Sequence, residues 1–157
     1  MRVSSAVERV QAALQEHGVR TDILEFAQGT RTAQEAADAV GTQVGQIVKS
    51  LVFLAGDEPV LVLVSGAHLA DTEKLGRLFG TKVKRADADT VREATGFAIG
   101  GVAPVGHIRP LRTLIDENLL QYDVVYAAAG TPFSVFPIAP SELVRVTGGR
   151  VADVVVE

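Results

Sequence analysis

Apolar and polar positions along this chain repeat with two periods, one typical of helices and the other typical of strands. Val7, Val10 and Leu14 show the helical spacing, behind an expected cap at Ser4 or Ser5. The same reading predicts helices over residues 5–17, 33–40, 42–48, 72–79, 88–95 and 140–147. It predicts strands over residues 19–26, 50–55, 60–64, 82–86, 111–115, 123–128, 133–136 and 151–156.

Polar caps and glycine stops mark the ends of several predicted helices. The strongest start is a capping box at residues 32–35, in which Thr32 and Glu35 satisfy each other's backbone N–H groups. Gly41 ends that helix, and Thr42 opens a short one that we expect to pass into a strand near Lys49. Other pairs of cap and stop are Asp71 or Thr72 with Gly80, Asp87 or Asp89 with Gly96, and Pro140 with Gly148.

The strand pattern predicts a mixed sheet within a single α/β domain over residues 1–157. Residues 60–64 are continuously apolar, which indicates a strand buried on both faces. Turns at Gly56 and Gly130 are short enough for hairpins, so part of the sheet must be antiparallel. Residues 28–30 form a further predicted turn, and no linker, repeat or low-complexity tract interrupts the chain.

Composition narrows the class of protein. The chain has 157 residues, of which 47% are hydrophobic and 22% charged, as in ordinary globular domains. No apolar run approaches the roughly 20 residues of a membrane helix, and residues 1–8 lack the apolar stretch and cleavage site of a signal peptide, so we expect a cytoplasmic protein. With no cysteine, disulfides, thiol nucleophiles and thiolate metal sites are excluded.

Charge argues against nonspecific coating of nucleic acid, because the net charge is −4. Two clusters of basic residues could still form local basic surfaces. The alternative is that they are ordinary solvated faces. The basic residues that cluster in sequence are Lys74, Arg77, Lys82, Lys84 and Arg85, with Arg109 and Arg112 as a second group.

Lys49 is the only charged residue between Asp38 and Asp57, and it lies in an otherwise apolar run. An ammonium among apolar neighbours loses hydration and needs an anion or several acceptors nearby. It can therefore hold an anionic or carbonyl-bearing ligand. The alternative is that its stem lies along the core while its head reaches water.

Residues 95–107 form a second unusual stretch, with four glycines and a proline between Gly96 and Gly106. Glycines let backbone amides approach a phosphate or a carbonyl oxygen without an obstructing side chain. The spacing from Gly101 to Gly106 resembles the start of a P-loop. His107 and Ile108 replace the lysine and hydroxyl residue which that loop requires, so nucleotide hydrolysis is a poor interpretation. Structural turns are the alternative.

No side-chain nucleophile is evident. The three histidines (His17, His68 and His107) are too scattered to form a metal-ligand motif. Ser65 lacks the G-x-S-x-G pattern of a hydrolase nucleophile elbow, and Asp116 is expected at a turn after its strand. If the chain is an enzyme, its chemistry depends on binding and orientation.

Three blocks of sequence resemble the YbaK/ProX family of aminoacyl-tRNA editing domains, which includes the editing insertion of bacterial prolyl-tRNA synthetases. The first comprises residues 32–41 and 46–53, with Lys49 at the position of the family's lysine. The second is the glycine-rich stretch at residues 95–106. The third comprises residues 125–130 and 138–143.

This resemblance implies a mixed, largely antiparallel, barrel-like curved sheet flanked by helices. It implies hydrolysis of the ester between a wrong amino acid and the 3′ end of tRNA, without a metal, a cofactor or a covalent enzyme intermediate. On this basis Lys49, Gly100 and Gly101 are the expected catalytic residues. The residues expected to bind substrate are Ser50, Thr32, Pro104, Gly106, His107 and Gly130.

Two functions are compatible with these residues. The first is a free-standing trans-editing hydrolase that removes a small amino acid, such as alanine or cysteine, from tRNA-Pro. The second is a noncatalytic module that binds a tRNA end or an aminoacyl-adenylate-like ligand. Prolyl-tRNA synthetase or translation factors are the expected protein partners, and neither DNA nor a membrane is expected. The alanines at residues 127–129 depart from members that have serine or glycine next to Gly130, so the edited amino acid stays open.

Overall fold

In the computed structural model, which describes residues 5–27, 29–30 and 32–157, five helices surround one mixed sheet of eight strands. The helices are α1 (Ser5–Glu16), α2 (Ala33–Val40), α3 (Thr72–Phe79), α4 (Ala88–Thr95) and α5 (Pro140–Thr147). The strands are β1 (Leu24–Glu25), β2 (Ile47–Ala55), β3 (Glu58–Ser65), β4 (Val83–Arg85), β5 (Arg112–Asp116), β6 (Val125–Ala128), β7 (Ser134–Ile138) and β8 (Arg150–Ala152). None of the described helices is long and apolar enough to span a membrane.

The predicted caps are largely confirmed. Thr32 Oγ1 accepts the Glu35 N–H at 3.1 Å and Glu35 Oε1 accepts the Thr32 N–H at 3.1 Å, which completes the capping box of α2. Asp71 and Asp87 cap α3 and α4. Left-handed glycines end four helices, namely Gly41, Gly80, Gly96 and Gly148. Ser4 and Gln28 lie outside the described residues.

The strand order is β1-β7-β6-β2-β3-β5-β8, and β4 branches from β2. β2 is antiparallel to β3 across the Gly56 turn, and β6 is antiparallel to β7 across the Gly130 turn, as predicted. Parallel pairs join β2 to β6, β3 to β5 and β5 to β8. The sheet is therefore mixed. Within the described part of the chain, no pairing closes β1 against β8 into a barrel.

The core lies on both faces of the β2–β3 hairpin. All five residues from Val60 to Val64 are fully buried, which confirms the strand predicted to be covered on both sides. Leu61 and Leu63 belong to the larger apolar cluster, whereas Val60, Val62 and Val64 belong to a second cluster on the opposite face.

Three predicted elements differ from the structure. The predicted helix over residues 42–48 is wrong: a short 3-10 helix covers only Val44–Gln46, and Ile47 already begins β2. Pairing with β3 and β6 overrides the local helical pattern of these β-branched residues. Lys49 is therefore the third residue of a strand. The strands predicted over residues 19–26 and 151–156 shorten to β1 and β8, since each pairs with a single neighbour at the end of the sheet.

Candidate functional site

A gap in strand pairing creates a cleft beside β2. One edge of β2 pairs with β3 along nearly its whole length, from Val48 to Ala55. The other edge pairs with β6 only at Ile47 and Val48, and with β4 only from Phe53 onward. A cleft of about 290 Å³ occupies the interval between β6 and β4. Every residue from 47 to 52 lines it, because the strand edge itself forms one wall.

The hydrogen-bond ladder shows which backbone groups face this cleft. The Gly66 N–H donates to Ile47 O at 2.7 Å, so alternate residues from Ile47 onward direct their peptide groups toward β3. Ser50 and Val52 consequently direct theirs toward the opposite edge. Val52 O accepts the Ala86 N–H at 3.2 Å, in agreement with this phase. The peptide groups of Ser50 and the Val52 N–H therefore point toward the cleft.

The remaining walls come from four separate parts of the chain and are mostly small or apolar. They are the start of α2, the segment from β4 into α4, the glycine-rich loop and the turn between β6 and β7. The residues concerned are Thr30, Thr32, Ala33, Ala36, Arg85, Ala86, Val91, Ile99, Gly100, Val102, Tyr126, Ala128, Thr131, Pro132, Ser134 and Val135. A cleft of this size and lining fits a small organic group with few polar contacts.

Lys49 lines the cleft and is partly buried. Its Nζ donates a hydrogen bond to the backbone oxygen of His68, in the loop after β3. Burial lowers the pKa of Lys49 below its usual value of 10.5, and the positive charge of Arg85 lowers it further. The buried carboxylate of Asp116 acts in the opposite direction.

Asp116 and Ser65 organise the loop that holds Lys49. Asp116 is fully buried and accepts the Ser65 N–H at 3.0 Å and the Asn118 N–H at 2.9 Å. Ser65 Oγ donates to Gly45 O at 2.7 Å, and Ser65 O accepts the His68 N–H at 3.0 Å. The sequence indicated a turn at Asp116 and an unremarkable Ser65. The structure links both to the carbonyl that binds Lys49.

Ser50 follows Lys49 on β2 and also lines the cleft. Its hydroxyl is buried and has no hydrogen-bond partner among the described residues. Buried polar atoms are usually satisfied, so an unsatisfied hydroxyl beside a cleft is a candidate for contact with a ligand.

The structure divides the predicted glycine-loop residues into two groups. Gly100 lines the cleft, with a φ of +89°. Gly101 does not: its N–H donates to Ala98 O at 3.0 Å, and a Cβ on it would lie 2.8 Å from Thr131 Cα. Gly101 thus packs the loop against the β6–β7 turn.

Four other residues predicted to bind substrate do not line the cleft either. They are Pro104, Gly106 and His107 of the loop and Gly130 of the β6–β7 turn. A Cβ on Gly106 would lie 3.1 Å from Arg9 O, and one on Gly130 would lie 2.9 Å from the carbonyl carbon of Ala6. Both glycines therefore allow close approach of α1.

Arg9 on α1 clamps the two ends of the glycine-rich loop. Its Nη2 donates to Gly96 O at 2.6 Å and its Nε to Gly106 O at 3.4 Å. The guanidinium also lies 4.7 Å from the centre of the Phe97 ring. Through these contacts α1 supports the loop that brings Ile99, Gly100 and Val102 to the cleft.

The contacts of His107 are to the protein's own loop. Its Nε2 lies 2.7 Å from Ala103 O, and its ring meets Phe97 edge-on at 5.9 Å. Burial lowers the pKa of His107, the hydrogen bond to Ala103 raises it, and the charge of Arg9 lowers it. A neutral imidazole that donates to Ala103 satisfies this arrangement.

Residues 27–146 match the family model described as the aminoacyl-tRNA editing domain. The chain belongs to this family. The editing domain is 48% identical to a solved structure described as "a putative trans-editing enzyme for prolyl tRNA synthetase", with a TM-score of 0.94 and coverage of 99% of this chain and 100% of that one. The shared fold agrees with the mixed α/β architecture predicted from the sequence.

Two curated relatives extend the comparison. The editing domain is 32% identical to "Uncharacterized protein YwhH" of Bacillus subtilis over 123 residues, which is 78% of each chain. It is 27% identical to "Putative Cys-tRNA(Pro)/Cys-tRNA(Cys) deacylase EbsC" of Enterococcus faecalis, over 90% of this chain and 88% of that protein. The α1 helix precedes the region matched by the family model.

Arg85, Asp116 and Thr131 are the site residues that sequence reasoning missed or left in ordinary roles. Arg85 was noted only as part of a basic cluster, and the pairing of β4 with β2 is what brings it to the cleft. No local signal in the sequence reveals that pairing.

Proposed function

We propose that this editing domain acts in trans to hydrolyse the ester between a small, wrongly attached amino acid and the 3′-terminal ribose of tRNA-Pro. Family membership and the relatives described as deacylase and trans-editing enzyme support the enzyme class. The observation that carries the proposal is the cleft at the unpaired edge of β2, which Lys49 and Ser50 both line.

The proposed reaction needs no covalent enzyme intermediate. Water adds to the ester carbonyl carbon, the bond to the ribose oxygen breaks, and that oxygen takes a proton to leave the ribose hydroxyl. The products are the free amino acid and deacylated tRNA. The neighbouring ribose hydroxyl assists the attacking water, so the protein's main contribution is to hold the ester in place.

Lys49 supplies the electrostatic contribution. We assign its ammonium to the carbonyl oxygen of the ester, where negative charge develops as water adds. The Ser50 N–H and, on the facing loop, the backbone of Gly100 are the proposed neutral contacts. The small and apolar walls near Ala33, Ala36 and Ala128 limit the size of the accepted amino acid.

A deacylation panel tests this assignment. tRNA-Pro carrying alanine, cysteine, serine or proline is incubated with wild type, Lys49→Ala and Lys49→Arg, and release of each amino acid is timed. We expect wild type to release one small amino acid rapidly and proline slowly. Lys49→Ala should lower the rate of that release by about 100-fold or more, the usual effect of removing one group that stabilises an oxyanion.

Lys82→Ala provides the matched control, since Lys82 is exposed just before β4 and does not line the cleft. It should keep the wild-type rate. Full activity of Lys49→Ala on the preferred ester would refute the role of Lys49. Wild-type protein that binds the tRNA end but leaves every ester half-life unchanged would instead support a noncatalytic module.

A further inference from the structure

Arg85 gives the cleft a second positive charge. It lies at the end of β4, opposite Phe53 on β2, and lines the cleft together with Lys49. Lys49 and Phe53 are four residues apart on one strand and therefore share a face, so Arg85 lies on that face as well. Among the described residues of the cleft lining, no carboxylate balances these two cations.

The surroundings of Arg85 contrast with those of Arg112. Both guanidinium groups lie over phenylalanine rings, Arg85 at 5.5 Å from the centre of Phe53 and Arg112 at 5.0 Å from that of Phe79. Arg112 also binds Glu58 through two hydrogen bonds of 2.7 and 2.9 Å. Within the part of the chain that the structure describes, Arg85 has no such carboxylate partner.

The two cations of the cleft repel each other. Burial and then the charge of Arg85 lower the pKa of Lys49, while the buried Asp116 raises it, so the cleft holds like charges close enough to interact. An anion between or beside them would relieve that repulsion. A guanidinium is especially suited to a phosphate, because its planar N–H groups bind two oxygens at once.

We propose that Arg85 binds the phosphodiester on the 5′ side of the terminal nucleoside of the substrate, while Lys49 acts on the ester. This inference rests on the proposed function, because it assigns a further residue to the same substrate. The terminal nucleoside of an aminoacyl-tRNA has its ester on one side of the ribose and its phosphodiester on the other. Two cations on one face of the sheet can hold both ends of that unit. Arg85 is thus a binding and positioning residue outside the three blocks that carried the family resemblance.

Substrates with and without the phosphate separate this role from a structural one. The probes are aminoacyl-tRNA, the aminoacyl ester of the dinucleotide CpA, and aminoacyl-adenosine, each carrying the amino acid that wild type releases fastest. We expect Arg85→Ala to lower kcat/KM on the first two by about 10- to 100-fold, the range for a lost charge-assisted hydrogen bond. On aminoacyl-adenosine, which has no phosphate, it should stay within about twofold of wild type.

Arg85→Lys and Lys84→Ala complete the series. Arg85→Lys keeps the charge without the paired N–H groups and should recover part of the loss. Lys84 is the preceding residue of β4, points to the other face of the sheet and does not line the cleft, so Lys84→Ala should match wild type on all three esters. Thermal unfolding of each variant shows whether the fold is retained.

Equal loss on all three esters, or no loss on any, would overturn the proposal while leaving the deacylase function intact. A direct binding measurement covers the case in which wild type hydrolyses no ester. Wild type should then bind 5′-AMP more tightly than adenosine, and Arg85→Ala should lose that preference. Failure of wild type to prefer 5′-AMP would reject the phosphate site independently of catalysis.

Discussion

At the residue scale, the site depends on side chains whose partners come from distant parts of the chain. Lys49 is held by His68 O, and the loop that carries this oxygen is tied to Asp116 through Ser65. A hydrogen bond to a backbone oxygen fixes the position of the lysine ammonium. The carbonyl accepts a hydrogen bond from one of its three N–H groups and leaves the other two for a ligand. The alternative in which the ammonium only reaches bulk water does not describe this geometry.

His107 should make the fold sensitive to acid. Its pKa lies below the usual value of 6.5 in the folded protein, so the unfolded chain binds the proton first as pH falls. The free energy of unfolding should therefore decrease as pH falls from about 6.5 to the folded pKa, by about 1.4 kcal/mol for each unit of depression. Urea unfolding at a series of pH values measures this loss.

His107→Gln keeps a donor for Ala103 O and cannot become an imidazolium, so it should lose less stability over that pH interval than wild type. His17→Gln is the matched control for the same substitution, since His17 is exposed after α1. Identical pH curves for wild type and His107→Gln would show that other groups control acid stability.

At the scale of elements, the arrangement of β2 with its neighbours makes the cleft, and α1 supports the facing loop. β6 leaves β2 after Val48, and β4 joins it only at Phe53. The glycines of the loop serve two purposes in this arrangement. Gly100 faces the cleft, whereas Gly96 and Gly106, together with Gly130 of the β6–β7 turn, allow α1 to pack closely.

Removal of the Arg9 clamp should affect both stability and catalysis. Arg9→Ala leaves Gly96 O and Gly106 O without their donor, so the free energy of unfolding should fall by about 1–2 kcal/mol. The loop that carries Gly100 should then be less well positioned, and kcat for deacylation should fall. Urea unfolding and single-turnover deacylation measure the two effects.

Gln11→Ala is the control on the same helix, because Gln11 is exposed and should tolerate the change. If Arg9→Ala loses stability while kcat and KM stay at wild-type values, the loop geometry does not depend on α1.

At the scale of the whole molecule, the chain has a net charge of −4, whereas the charged residues in the described lining of the cleft are all positive. Such a protein repels nucleic acid over most of its surface and attracts it at one place. Recognition should then depend on a small number of phosphate contacts near the site.

The dependence of activity on salt tests this expectation. Since Arg85 is the cation assigned to a phosphate of the single-stranded 3′ end and Lys49 is assigned to the ester, log(kcat/KM) for aminoacyl-tRNA should fall against log[salt] with a slope of about −0.7. Rates at subsaturating substrate between about 50 and 200 mM salt measure the slope. Arg85→Ala should bring the slope close to zero, and a much steeper wild-type slope would indicate that the acceptor stem is also bound.

Local sequence chemistry was sufficient for most helices and for the principal strands. The capping box of α2, the aspartate caps of α3 and α4 and the glycine stops depend on residues adjacent in the chain, so their patterns predict structure directly. The continuous apolar run of β3 required burial on both faces wherever the strand lay. Lys49 was also evident from the local pattern, because it is a lone charge in an apolar run.

Tertiary structure alone decided what surrounds Lys49 and what each glycine does. The gap beside β2 exists because β6 and β4, which are distant in sequence, pair with different parts of the same edge. The same pairing brings Arg85 into the cleft, and it places Ile47 and Val48, the last two residues of a predicted helix, at the start of β2. Gly101 looks in sequence like a ligand-binding glycine, yet its neighbour is Thr131. Contacts of this kind depend on how separate elements meet, and the local pattern of residues carries no information about that meeting.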